Sequence, residues 1–99
     1  LLVLTVRALG EVTAVGSERD AKLELLAEPD VVVMDLGLPH IRWDLLEHAA
    51  QAAGRVVVVT GHVEPVIVER AYAAGASLVL TKPFRPRELA AAVRGPSPG

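Results

Sequence analysis

The stretch Pro29-Asp30-Val31-Val32-Val33-Met34-Asp35-Leu36-Gly37-Leu38-Pro39 decides how this chain is read. Four consecutive apolar residues are too few for a core helix and suit a buried central strand of a parallel sheet. That strand ends on a carboxylate, Asp35, and Leu36-Gly37-Leu38-Pro39 turns the chain immediately afterwards. Open α/β sheets place their ligand chemistry at the carboxyl ends of their strands. A second apolar run, Val56-Val57-Val58-Val59, ends in Thr60-Gly61, and a third, Leu78-Val79-Leu80-Thr81, ends in Lys82-Pro83-Phe84. An acid, a hydroxyl and an amine are therefore expected along one sheet edge.

Between these runs the pattern turns helical. Gly16-Ser17 opens a helix through Leu25-Leu26, with Ser17 and Asp20 as a variant capping box and Pro29 as the stop. Trp43 to about Ala53 carries Leu46, Ala49, Ala50 and Ala53 on one face, with Gly54 as the expected cap. Pro65 suits a first helical turn. Val63, Val66, Ile67, Ala71 and Ala74 form the stripe of that helix, which Gly75 ends. Residues 86–93 read as a short alanine-rich helix. With Val12–Val15 as a further strand, the alternation implies a parallel sheet covered by helices on both faces.

The ordered trio PDVVVMDLGLP, VVVVTG and AYAAGASLVLTKPF resembles the receiver domain of bacterial two-component response regulators. The resemblance covers roughly residues 10 to 93. It implies a CheY-like, flavodoxin-like doubly wound α/β fold, with a receiver domain over 1–93 and a linker or tail over 94–99. It also implies a phosphorelay role in the cytoplasm as a switch rather than a conventional enzyme. A histidine kinase or phosphotransfer protein would phosphorylate Asp35. Carboxylates can act as nucleophiles, and phosphoryl transfer asks mainly for positioning and charge neutralisation. Lys82 would contact the phosphoryl group, Thr60 would donate a hydrogen bond to it, and Pro83 would follow a cis peptide bond. Mg²⁺ would take Asp35 and the backbone carbonyl of Gly37 as ligands. The helix over 63–74, the strand over 78–81 and the helix over 86–93 would meet an output domain or dimer partner.

Four departures accompany the resemblance. The first strand and its acidic pair, which would complete the Mg²⁺ site, are absent from the sequence. The segment between Asp35 and Thr60 is shorter than usual. The switch position three residues before Lys82 holds Val79, which has no aromatic ring to swing. The last residues, 94–99, are expected to be a linker or tail rather than the start of an output domain. The missing metal acids and Val79 motivate an alternative of another class, a pseudo-receiver that binds partners without phosphorylation. An aspartyl-phosphate enzyme of the haloacid dehalogenase type would want a second acid where Gly37 stands.

The first residues are ambiguous. Leu1–Val6 has strand composition, but residues 7–11 are too few for a parallel crossover to Val12. The resemblance implies instead that Leu9-Gly10 before a strand closes a first helix, so that Leu1–Leu9 is expected to be the remnant of that helix. The chain begins at Leu1 and its one methionine is Met34, so residues upstream are expected to be missing.

Composition narrows the rest. The 99 residues make one small domain, and 52% apolar content gives it a core without staples. No cysteine is present, which excludes disulfides and thiolate chemistry. A formal net charge of −2 and scattered aromatics argue against nucleic-acid binding. No apolar run is long enough to span a bilayer. His40, His48 and His62 lack metal-ligand spacing and read as surface residues. Trp43 reads as an anchor for its helix, and Arg85 and Arg87 as solvated charges.

Overall fold

The computed structural model describes residues 2–7, 12–36, 42–61 and 64–95. Five strands and four helices follow in the order β1 (Leu2–Val6), β2 (Val12–Val15), α1 (Glu18–Leu25), β3 (Val31–Asp35), α2 (Trp43–Ala52), β4 (Arg55–Thr60), α3 (Pro65–Ala73), β5 (Leu78–Thr81) and α4 (Pro86–Arg94). They form one sheet of order β2-β1-β3-β4-β5. β3, β4 and β5 are parallel, with Asp35 opposite Val59 and Thr60 opposite Thr81.

The expected helix over Leu1–Leu9 is corrected, because Leu2–Val6 is a strand. It pairs antiparallel with β2 on one side and with β3 on the other. Residues 7–11 are indeed too few for a parallel crossover, yet a short link is what an antiparallel pair uses. The apolar β-formers of this stretch supply the local preference. The sheet is therefore mainly parallel rather than wholly so, and its fold class is flavodoxin-like α/β. Val6 accepts a hydrogen bond from the Asp30 amide at 3.0 Å, which joins the end of β1 to the entry of β3.

The strand pleat sorts the core into two layers. Val3, Val32, Met34, Val56 and Val58 pack with Ala21 and Leu25 of α1, Leu45, Leu46 and Ala49 of α2, and Ala71 of α3. Val33, Val57 and Val59 face the other way and meet Phe84, Leu89 and Ala92 at α4. Three helices thus cover one face and one covers the other. Val66, expected in the apolar stripe of α3, is 68% exposed, whereas Ala71 is fully buried; Val63 lies outside the described residues.

Helix ends follow local chemistry. Ser17 Oγ accepts the Asp20 amide at 3.1 Å, so one otherwise unpaired donor of α1 is satisfied. Replacing Ser17 by alanine should cost about 1 kcal/mol, read as a lower urea midpoint at unchanged m-value. Pro65 and Pro86 occupy first turns, where no amide is needed. The Glu88 carboxylate accepts the Arg85 amide at 3.2 Å ahead of α4. α2 ends with Ala53 as its cap in extended geometry. Gly54, the expected cap, lies where an added Cβ would come within 3.1 Å of the Asp30 carbonyl oxygen.

Candidate functional site

β3 carries Asp35 to its carboxyl end, where the chain leaves the sheet and Leu36 N–H donates to Val59 O at 2.9 Å. β5 ends at Thr81, and Lys82 follows with its amide donating to Thr60 O at 2.8 Å. This bond fixes where the lysine leaves the sheet. The Lys82 ammonium then reaches Asp35 Oδ2 at 2.6 Å, and the side chains are 46% and 26% exposed. The pair is short and charge-assisted, yet open to solvent, so its worth lies in orientation more than in stability. The Lys82–Pro83 peptide is cis.

Thr60 is placed differently. It is fully buried. Strand alternation turns it to the α1–α3 side, opposite the α4 side to which Val59 contributes. Thr60 therefore neighbours Asp35 through the sheet register without presenting an exposed hydroxyl beside the ion pair. Val79 is half-buried against the α1–α3 core. Gly37, whose carbonyl was expected to bind a metal, lies outside the described residues, as do His40 and His62.

Beneath the ion pair a recess of about 260 Å³ is lined by Leu4, Val33, Asp35, Val59, Lys82, Phe84 and Leu89. Sequence reading missed this recess, because it depends on β1 lying beside β3.

Mg²⁺ asks for several oxygen ligands in an octahedron. Among the described residues no group of three acidic or imidazole side chains could hold a metal ion. The antiparallel course of β1 puts Leu2 opposite Asp35 and sends the carboxyl end of that strand to the other edge of the sheet. The described residues therefore supply Asp35 but not a full ligand set, and no step below is routed through the ion.

Two contacts outside the ion pair were not foreseen. The Arg70 guanidinium of α3 sits 4.6 Å from the Trp43 ring centroid, so the anchor of α2 is also a seat for α3. The Tyr72 hydroxyl accepts the Val79 amide at 3.2 Å. An arginine in the third helical segment and a tyrosine preceding AAG were the available signals, but neither has a sequence spacing that names its partner. At the start of α2, the hydrogen bond from Arg42 holds the Asp44 carboxyl below the usual carboxylate range, which favours the negative charge at a helix N-terminus.

A mainly parallel α/β sheet thus brings an acid and a lysine together at one strand-end edge. The family model for the response regulator receiver domain matches residues 2–94, and the chain belongs to that family. A response regulator from Burkholderia pseudomallei, described with a phosphorylated aspartic acid, a calcium ion and citrate, is similar at TM-score 0.65 and 22% identity, over 79% of this chain and 48% of its own. A LuxR-family two-component response regulator from Aurantimonas sp. SI85-9A1 is similar at TM-score 0.59 and 35% identity, over 73% and 54%. A CheY-like receiver domain protein from Methanospirillum hungatei JF-1 is similar at TM-score 0.57 and 26% identity, over 71% and 62%. The match thus spans about half to three fifths of those chains. No curated protein matches significantly in sequence. Among the described residues no helix is long and apolar enough to cross a membrane.

Proposed function

We propose that this receiver domain accepts a phosphoryl group on Asp35 from a histidine kinase or phosphotransfer protein and acts as a two-component switch rather than a metabolic enzyme. The observation that carries the reading is the Lys82 ammonium held at 2.6 Å from Asp35 Oδ2 at the carboxyl end of a central strand. The carboxylate is the nucleophile, through the oxygen that Lys82 does not hold. The ammonium neutralises charge as the anion arrives, which is the main demand of phosphoryl transfer. Thr60 supports the phosphoryl group only if its buried hydroxyl turns toward it. Mg²⁺ and the Gly37 carbonyl belong to the same proposal, as do residues 1–93 as the receiver unit, a cytoplasmic location and the α3–β5–α4 surface as the output face.

The test is ¹⁹F NMR of the chain with beryllofluoride and Mg²⁺. A bound-fluoride signal is expected, and its absence overturns the reading. A second reading, the pseudo-receiver, is favoured by the reversed β1, which brings no acidic pair beside Asp35 among the described residues. It predicts no bound-fluoride signal together with partner binding that ignores Mg²⁺.

A further inference from the structure

The position three residues before Lys82 holds an aliphatic side chain, Val79, yet an aromatic group does touch that residue. The chain has one tyrosine, Tyr72, and it lies in the last turn of α3. Its hydroxyl accepts the Val79 amide of β5 at 3.2 Å. β5 is an edge strand with β4 as its one neighbour in the sheet. Its amides that do not face β4 need another acceptor or water. The tyrosine supplies one from a helix rather than from a strand.

Contacts lead from this bond toward the Asp35–Lys82 pair and toward Trp43. Toward the site, Val79 leads through Leu80 and Thr81 to Lys82, whose amide is bonded to Thr60 O and whose ammonium is on Asp35. Away from the site, Tyr72 follows Arg70 by two residues, and the Arg70 guanidinium covers Trp43 at the start of α2. An anion on Asp35 would take Lys82 as its own partner and draw the ammonium off the 2.6 Å contact. β5 is only four residues long, so a pull on Lys82 reaches Val79 within one strand. The Val79 side chain packs into the core of the α1–α3 side and carries no polar group toward α3.

We infer that the Tyr72 hydroxyl is the positioning group that couples β5 to α3, so that a change at the Asp35–Lys82 pair moves α3 against Trp43. This inference rests on the phosphoacceptor reading for its trigger. The hydroxyl thus takes up from the helix side the link that an aromatic residue at position 79 would make from the strand side. It touches neither Asp35 nor Lys82, so it positions an element and takes no part in chemistry.

The molecule contains its own reporter, because Trp43 is the one tryptophan. Trp43 fluorescence is followed while Asp35 is loaded with beryllofluoride and Mg²⁺, and loading is read separately by ¹⁹F NMR. Tyr72→Phe keeps the ring and removes only the acceptor oxygen, so the fold is retained. The wild type should show a fluorescence change on loading. Tyr72→Phe should load equally but show a change at least about fivefold smaller, and its Val79 amide should exchange about fivefold faster, the scale of one lost neutral hydrogen bond. Equal fluorescence changes in the two proteins would overturn the coupling while leaving Asp35 as acceptor. Loading of the wild type with no change at Trp43 would also overturn it. Absence of any bound-fluoride signal removes the phosphoacceptor reading and the trigger together.

Discussion

An alanine at Gly75 should destabilise the domain by roughly 2–4 kcal/mol, close to the limit a small domain tolerates. Two independent costs meet at this residue. Its φ is +114°, a conformation that L side chains rarely adopt. A Cβ built there would also stand against the Ala50 Cβ of α2, well inside any real contact. The backbone after α3 is thus pressed against α2, and neither side has room to yield without moving a helix. At about 4–8 °C per kcal/mol for a domain of this size, the melting temperature should fall by roughly 10–25 °C. Gly61→Ala is the control, since among the described residues no heavy atom beyond its chain neighbours lies within 4 Å of the place a Cβ would take there. It should stay within about 0.5 kcal/mol of the parent. Urea denaturation of both variants checks the pair, and equal midpoints would show that the α2–α3 junction relaxes freely.

The same junction shows what a sequence discloses and what it withholds. AYAAGAS announces a helix that stops on glycine, and that much follows from local backbone preference. That the glycine faces Ala50 is a tertiary fact, since Ala50 lies in α2 and Gly75 just past α3, with β4 between them in the chain. The central strands were legible because a buried run of valines has few other uses, and their polar endings marked one edge. Asp35 and Lys82 could be paired on paper because both follow such runs. The sense of β1 was not legible. Leu-Val-Leu-Thr-Val satisfies a strand in either direction, and the rejection of a parallel crossover led to a helix when the antiparallel solution was available. Thr60 illustrates a finer limit. Sequence placed it at the right strand end, but one step of pleat decides whether a side chain faces the ion pair or the opposite core.

The largest functional effect is expected from Asp35→Asn, which should abolish the bound-fluoride signal altogether. Asparagine preserves shape but is a poor nucleophile, and it removes the charge that Lys82 pairs with. Because the pair is partly exposed, its loss should move stability by well under about 1 kcal/mol, so a folded, silent protein is the expected product. Lys82→Met distinguishes charge from shape. It keeps an unbranched chain and removes the ammonium now at 2.6 Å from Oδ2. A hydrogen bond to a charged group contributes about 1.5–3 kcal/mol, so affinity for beryllofluoride should drop by roughly 10- to 150-fold without vanishing. The contrast between total and graded loss is what assigns the roles. If both variants bound the anion as the parent does, the anion would be held elsewhere and Asp35 would not be the acceptor. If Lys82→Met abolished binding as completely as Asp35→Asn, the lysine would be indispensable for anion capture. Its ion pair with Asp35 would then be the resting state of the site, waiting for the anion to separate it.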